Sequence, residues 1–234
     1  MSDFLLIHGS CHGAWCWDDL IPHLTAAGHS ARAIDLPSHG QDRTAAGEVT
    51  LDLYARAIVA AIDRPVILVG HSMAGYPITA AAGLAPDKIS ALVYLCAYVP
   101  MAGKSLAQMR RMAPTQPLLD AIIVDEARMT FRVDPAKAAG KFYHDVPPTR
   151  AAWAIGQLGP QPILPQETPL VPNHSLPRHY LRCTDDRTIP PEFQTTMTAD
   201  WPAGTVTDLP TSHSPFLSDP ALLAQHLDRI ARIG

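Results

Sequence analysis

The chain has 234 residues, 47% of them hydrophobic and 17% charged, with a formal net charge of −4 at pH 7. That is enough apolar material for one large domain with a sizeable core, or for a core that carries an insertion. A mildly acidic balance without a basic run excludes nucleic acid as the expected partner, and no apolar stretch reaches the ~18–20 residues that a bilayer span needs.

Residues 3–7 are a short apolar run and read as a core strand. Met1-Ser2-Asp3 has no positively charged n-region, so the run does not read as a signal peptide and a cytoplasmic protein is expected. The strand ends in a small, polar loop, His8-Gly9-Ser10-Cys11-His12-Gly13. Residues 15–27 read as a helix, with Trp17, Leu20, Ile21 and Leu24 at helical spacing. Residues 31–36 are the next strand, and Pro37 to Asp42 is turn chemistry. Thr50 caps an expected helix to Asp63, whose face is Leu51, Tyr54, Ile58 and Ile62; Pro65 marks its end.

Residues 65–84 organise the rest. Val66 to Val69 reads as a buried parallel strand, and Pro77 to Leu84 as a buried helix. Between them stands Gly70-His71-Ser72-Met73-Ala74-Gly75. A strand that turns into a helix through Gly-x-Ser is the nucleophile elbow. Small neighbours are needed there because backbone crowds the turn. Gly usually stands where Ala74 is, and Gly75 comes one place later. The turn presents the Ser72 hydroxyl at a strand's carboxyl end, beside a helix N-terminus with free N–H groups. A simple serine N-cap is the competing interpretation.

Residues 89–98 form another apolar strand, stopped by Pro100. Alternating strands and helices imply a parallel, doubly wound sheet, with reacting groups at the carboxyl edge. Residues 101–177 break this rhythm and hold 11 of the 23 prolines. Residues 118–132 and 149–158 are their best periodic segments. The stretch reads as a mostly helical cap inserted into a core of residues 1–100 and 178–234. Trp153, Phe131, Phe142 and Tyr143 argue that it packs. The core pattern resumes with a strand at 179–183, a helix at 191–201 and a last strand at 205–209. A closing helix to Ile233 follows, capped by Ser218 or Asp219, with Leu222, Leu223, His226, Leu227 and Ile230 inward.

A serine hydroxyl needs a base, and the base needs an orienting acid. In this topology the order is Ser, then Asp or Glu, then His. His213 follows the last strand and is the candidate base; His226 sits mid-helix and reads as packing, and His71 as structural. Asp185 and Asp186 both follow the preceding strand. Asp186 is preferred because Asp-x-x-Ile-Pro is the usual setting of this acid, but Asp185 stays open. The tetrahedral oxyanion needs two donors: the Met73 backbone N–H, and one from the first loop, taken as the Ser10 N–H. Gly9 lets that loop approach the reacting carbonyl. The four cysteines form no Cys-x-x-Cys pair. His8 and His12 flank a loop rather than share a helix face, so neither a metal nor another cofactor is expected.

The whole chain resembles the α/β-hydrolase superfamily. More narrowly, it resembles the plant methylesterase and hydroxynitrile lyase group. The residues that carry this are His8 through Trp17, Gly70 through Gly75, and Asp186 through Gln194. The resemblance implies an α/β-hydrolase fold, Ser72 as nucleophile, Asp186 as acid, His213 as base, and oxyanion donors at Ser10 and Met73. The lyase branch has a threonine at the place of Gly9 and a lysine where Ser214 stands; neither is here, which favours an esterase.

The expected activity is a serine carboxylesterase for small esters. A lyase or C–C bond hydrolase on the same scaffold, or a small-molecule receptor, stays open. A small-molecule ester is the expected partner, with a homodimer left open. Gly9 and Trp153 are candidate substrate-binding residues. Phe131 and Leu158 join Trp153 as guesses at the cap's lining, although plain cap core is the more expected use for each of the three.

Overall fold

The computed structural model describes residues 1–233. The chain begins β1 (Asp3–Ile7), α1 (Leu20–Ala26), β2 (Ser30–Ile34), α2 (Leu51–Ala60), β3 (Val66–His71), α3 (Gly75–Leu84) and β4 (Ile89–Leu95). It continues α4 (Leu106–Met112), β5 (Ile122–Asp125), β6 (Thr130–Val133), α5 (Pro135–Phe142), α6 (Pro148–Gln157), β7 (Gln161–Pro162) and α7 (Leu164–Glu167). It ends β8 (Arg178–Cys183), α8 (Pro191–Met197), β9 (Val206–Leu209), α9 (Pro215–Ser218) and α10 (Pro220–Ile233).

The main sheet has six strands in the order β2-β1-β3-β4-β8-β9. Every pairing in it is parallel. Alternate residues of each strand serve opposite faces, as the two-residue period requires. Phe4, Leu6, Ile67 and Val69 join α1 and α10 in one buried cluster. Leu5, Ile7, Val66 and Leu68 join α2, α3 and α8 in the other. Both faces are therefore covered, which is why the strands read as unbroken apolar runs rather than alternating ones. Strand order reverses at β1, which lies between β2 and β3. The loops after β1 and β3 open side by side there, at the crevice where such sheets bind ligands.

Sequence periodicity erred in two places. Residues 15–27 are a short turn of 3₁₀ helix, Ala14–Trp17, followed by the separate α1. Residues 118–132 are not helical beyond one short turn. Ile122 to Asp125 and Thr130 to Val133 pair antiparallel, and β7 adds a third strand. Two short runs containing β-branched residues around a polar turn form a hairpin, and the turn's Met129 has φ +55°. The inserted stretch is thus a small sheet with short helices. No helix among the described residues is long and apolar enough to cross a membrane.

Candidate active site

Ser72 sits between β3 and α3 with φ +56°. A non-glycine residue in the left-handed region costs on the order of 1–3 kcal/mol and persists only where its surroundings enforce it. Two contacts do so. The Tyr98 N–H donates to the Ser72 carbonyl at 3.0 Å. A Cβ on Gly70 would come within 2.8 Å of the Ile78 side chain, and one on Gly75 would collide with the Tyr98 carbonyl. The position that tolerates no side chain is therefore Gly75, whereas Ala74 is accommodated in the core. This accounts for the one-place shift of the second small residue in the motif.

Asp186 and His213 meet 27 residues apart in the chain. His213 Nδ1 lies 2.7 Å from Asp186 Oδ2, and both side chains are fully buried. Asp185 is exposed. The carboxylate is fixed from every side. Thr188 N–H and Ile189 N–H donate to Oδ1 at 2.6 and 2.9 Å, and Gln194 Nε2 donates to Oδ2 at 2.9 Å. Gln194 also holds the Ile189 carbonyl at 2.8 Å. With Nδ1–H donated to Asp186, the lone pair of His213 Nε2 is directed away from the acid. That atom is buried and has no hydrogen-bond partner among the described residues. His213 and Ser72 line one cavity, together with Ser10, His12, Met73 and Phe142. No hydrogen bond joins Ser72 to His213 here; in related sites this contact commonly tightens only when substrate is bound.

His71 has a role its neighbourhood in the sequence did not reveal. Its Nε2–H donates to the His213 carbonyl at 2.8 Å, and its ring centroid lies 4.6 Å from the His213 ring. The Cys96 thiol lies 3.5 Å from the same carbonyl. His71, Cys96 and His213 bring three potential ligand atoms within 4.8 Å. Their chemistry opposes a metal: burial pushes the Cys96 thiol well up, so it stays protonated, the His71 Nε2–H is donated to a backbone carbonyl, and His213 Nδ1 is committed to Asp186.

The loop after β1 is equally restrained. His8 Nδ1–H donates to the Gly9 carbonyl at 2.9 Å, and Leu36 N–H donates to His8 Nε2 at 3.1 Å. His12 Nδ1–H donates to the Ser10 carbonyl at 2.8 Å, and the Tyr143 hydroxyl meets His12 Nε2 at 2.8 Å. Gln166 donates to Ser10 Oγ at 2.8 Å. The Ser10 N–H makes no backbone hydrogen bond among the described residues. Met73 is the second residue of the turn into α3, so its N–H has no partner one helical turn before it. Gly9 does not line the cavity but lies under it. A Cβ there would stand 2.6 Å from His71 Nδ1 and 2.9 Å from Ser72 Cβ. Gly9→Ala should therefore displace the serine and lower kcat on the order of 10²-fold, and the overpacking should cost on the order of 1–3 kcal/mol of stability, read as a lower melting temperature. Steady-state rates beside a thermal melt check this.

Residues 141–146 reach the site; of these the sequence singled out only Phe142 and Tyr143, and only as packing residues. The Lys141 carbonyl accepts from Thr188, beside the acid, at 3.0 Å. The Phe142 carbonyl accepts from Ser212 Oγ at 3.1 Å, and Asp145 accepts from Ser212 N–H at 2.7 Å. Tyr143 reaches His12, and the Phe142 ring stacks on His213 at 5.8 Å. One short stretch thus touches the loops that carry the acid, the base and Ser10. Trp153 corrects an expectation: it does not line the cavity. It packs edge-on against Trp15 at 5.3 Å, and the Arg150 guanidinium lies 3.8 Å from its ring centre. Leu158 is also outside the cavity, whereas Phe131 lines it.

Burial holds His8 and His71 far below the ordinary histidine range and His12 at about 4. All three are neutral when folded and become basic when the chain unfolds. The unfolded state then binds protons that the folded state refuses, so stability falls as pH drops below the unfolded value of about 6.5 towards 4. The melting temperature should decline steadily from pH 7 to pH 5, and His12→Gln should make the decline shallower. Thermal melts across that range measure it.

The model for the "Alpha/beta hydrolase family" matches residues 4–226. The chain is 32% identical over 254 residues to Esterase PIR7B of Oryza sativa subsp. japonica, covering 97% of this chain and 95% of that protein. It is 32% identical over 251 residues to Methylesterase 18 of Arabidopsis thaliana, covering 96% and 95%. Among solved structures, a pyrethroid hydrolase from Sphingobium faniae superposes with a TM-score of 0.86 at 28% identity, covering 99% and 97% of the two chains.

Proposed function

The chain belongs to the alpha/beta hydrolase family, and on that premise we propose that it is a serine carboxylesterase acting on small esters through Ser72, His213 and Asp186. Relatives along nearly the whole chain are named as esterases and methylesterases, which supports carboxylic-ester hydrolysis. The observation that carries the residue roles is the buried, unpartnered His213 Nε2, held by Asp186 and sharing a cavity with a strained serine.

In this reading His213 Nε2 takes the Ser72 proton as Oγ attacks the ester carbonyl. The oxyanion rests on the Ser10 and Met73 N–H groups. The acyl C–O bond breaks, and His213 gives its proton to the leaving alcohol. Water, deprotonated by the same nitrogen, then attacks the acyl-enzyme, frees the acid and restores Ser72. Residues 101–177 act as a cap that supplies one wall of the cavity and screens the acyl-enzyme from bulk water.

No metal or other cofactor enters these steps. The lyase reading is less well supported, since position 214, next to the base, is Ser rather than a cation. A fluorophosphonate should add a single phosphonyl group at Ser72, located by peptide mass spectrometry, and abolish turnover of a short aryl ester. Labelling elsewhere with turnover intact would refute the proposed roles.

A further inference from the structure

We propose that Arg110 selects the substrate: its guanidinium receives a carboxylate at the far end of the substrate from the scissile ester, so that half-esters of dicarboxylic acids are favoured. The inference rests on the esterase reading above. Arg110 lies in the last turn of α4, whose start is pinned by the reciprocal Ser105–Gln108 capping box. It lines the same cavity as Ser72 and His213. Its Nε is buried without a hydrogen-bond partner, and no carboxylate pairs with it among the described residues.

The surroundings make that unpaired cation informative. No Asp or Glu lines the cavity, and Leu106, Ile122, Phe131 and Phe142 give it an apolar wall. An unsatisfied guanidinium N–H in such a place is costly unless something answers it. The side chain is a planar fork suited to a carboxylate, which two parallel N–H groups can grip. Tyr98 lines the cavity too, and burial keeps its hydroxyl protonated and able to donate. An apolar spacer between a carboxylate at Arg110 and an ester at Ser72 suits the apolar residues in the lining that the two share.

The test compares methanol release from monomethyl glutarate and from methyl pentanoate, which is similar in length and neutral. The wild type should favour the anionic ester in kcat/KM. Arg110→Gln should reduce that preference about 10–100-fold, as loss of a charge-assisted hydrogen bond predicts, and Arg110→Lys should restore part of it. Arg111→Gln, one place along and exposed, should leave the preference unchanged. Binding is read separately in Ser72→Ala protein by calorimetry, where monomethyl glutarate should bind at least tenfold tighter than methyl pentanoate. Equal binding of the two esters, or the same preference in Arg110→Gln, overturns the inference and leaves Arg110 as a partner of the α4 C-terminus. If the wild type cleaves neither ester and Ser72 takes no fluorophosphonate, the esterase reading fails and this one falls with it.

Discussion

Ser72→Ala should lower kcat/KM for a short aryl ester by on the order of 10⁴–10⁶-fold, with the fold intact. The size follows from what is removed: the nucleophile acts as a unit with its base, so deleting one member forfeits most of what the group contributes. The fold should survive because alanine is smaller, and the serine hydroxyl makes no hydrogen bond that packing depends on. The backbone at +56° is held by the Tyr98 N–H and by the close approach of Gly70 and Gly75, none of which involves Oγ. Residual turnover above the uncatalysed rate is expected, since the Ser10 and Met73 N–H groups still stabilise an oxyanion. Steady-state kinetics and a thermal melt on the same preparation decide the matter. Undiminished turnover would exclude Ser72 as nucleophile.

The parts of this site that could be read in the sequence are those fixed by local rules. A β-branched run into Gly-x-Ser predicts the elbow because few other residues tolerate that turn. His213 and Asp186 stand in loops directly after strands, and parallel topology sends all such loops to one edge. The apolar runs gave the strands away because both faces of the sheet are covered.

What escaped notice depends on contacts between distant segments. Tyr143 meets His12 across 131 residues and Gln166 meets Ser10 across 156, and no periodicity encodes such pairings. Gln194 left a faint signal. It lies in the Asp186–Gln194 stretch that carries the family resemblance, and a fully buried glutamine must be hydrogen-bonded to something. Trp153 misled for a physical reason. A large aromatic fits a cap's own core as well as a pocket's wall, and here Trp15 packs edge-on with the Trp153 ring while the Arg150 guanidinium lies over it. The 118–132 hairpin was missed because short apolar runs do not separate strand from helix by spacing alone.

Asp186→Asn should lower kcat about 10⁴-fold at neutral pH, nearly as much as loss of the nucleophile, although the acid never touches substrate. The wild-type carboxylate only accepts: two backbone N–H groups on Oδ1, and Gln194 Nε2 with His213 Nδ1 on Oδ2. An amide has one accepting and one donating end, so no orientation serves all four donors. If its nitrogen faces His213, it opposes Gln194 Nε2–H and pushes His213 into the Nε2–H tautomer, which has no lone pair for the Ser72 proton. If its nitrogen faces the backbone instead, Thr188 and Ile189 lose their acceptor in a buried loop. The first orientation keeps the loop and sacrifices catalysis. The second keeps the tautomer and sacrifices stability, so the variant's melting temperature reveals which one the protein adopts. A variant with kcat within tenfold of the wild type would refute the expected loss: with a lowered melting temperature it would mean that the amide oxygen holds the tautomer, and with an unchanged one that the tautomer needs no acceptor at position 186.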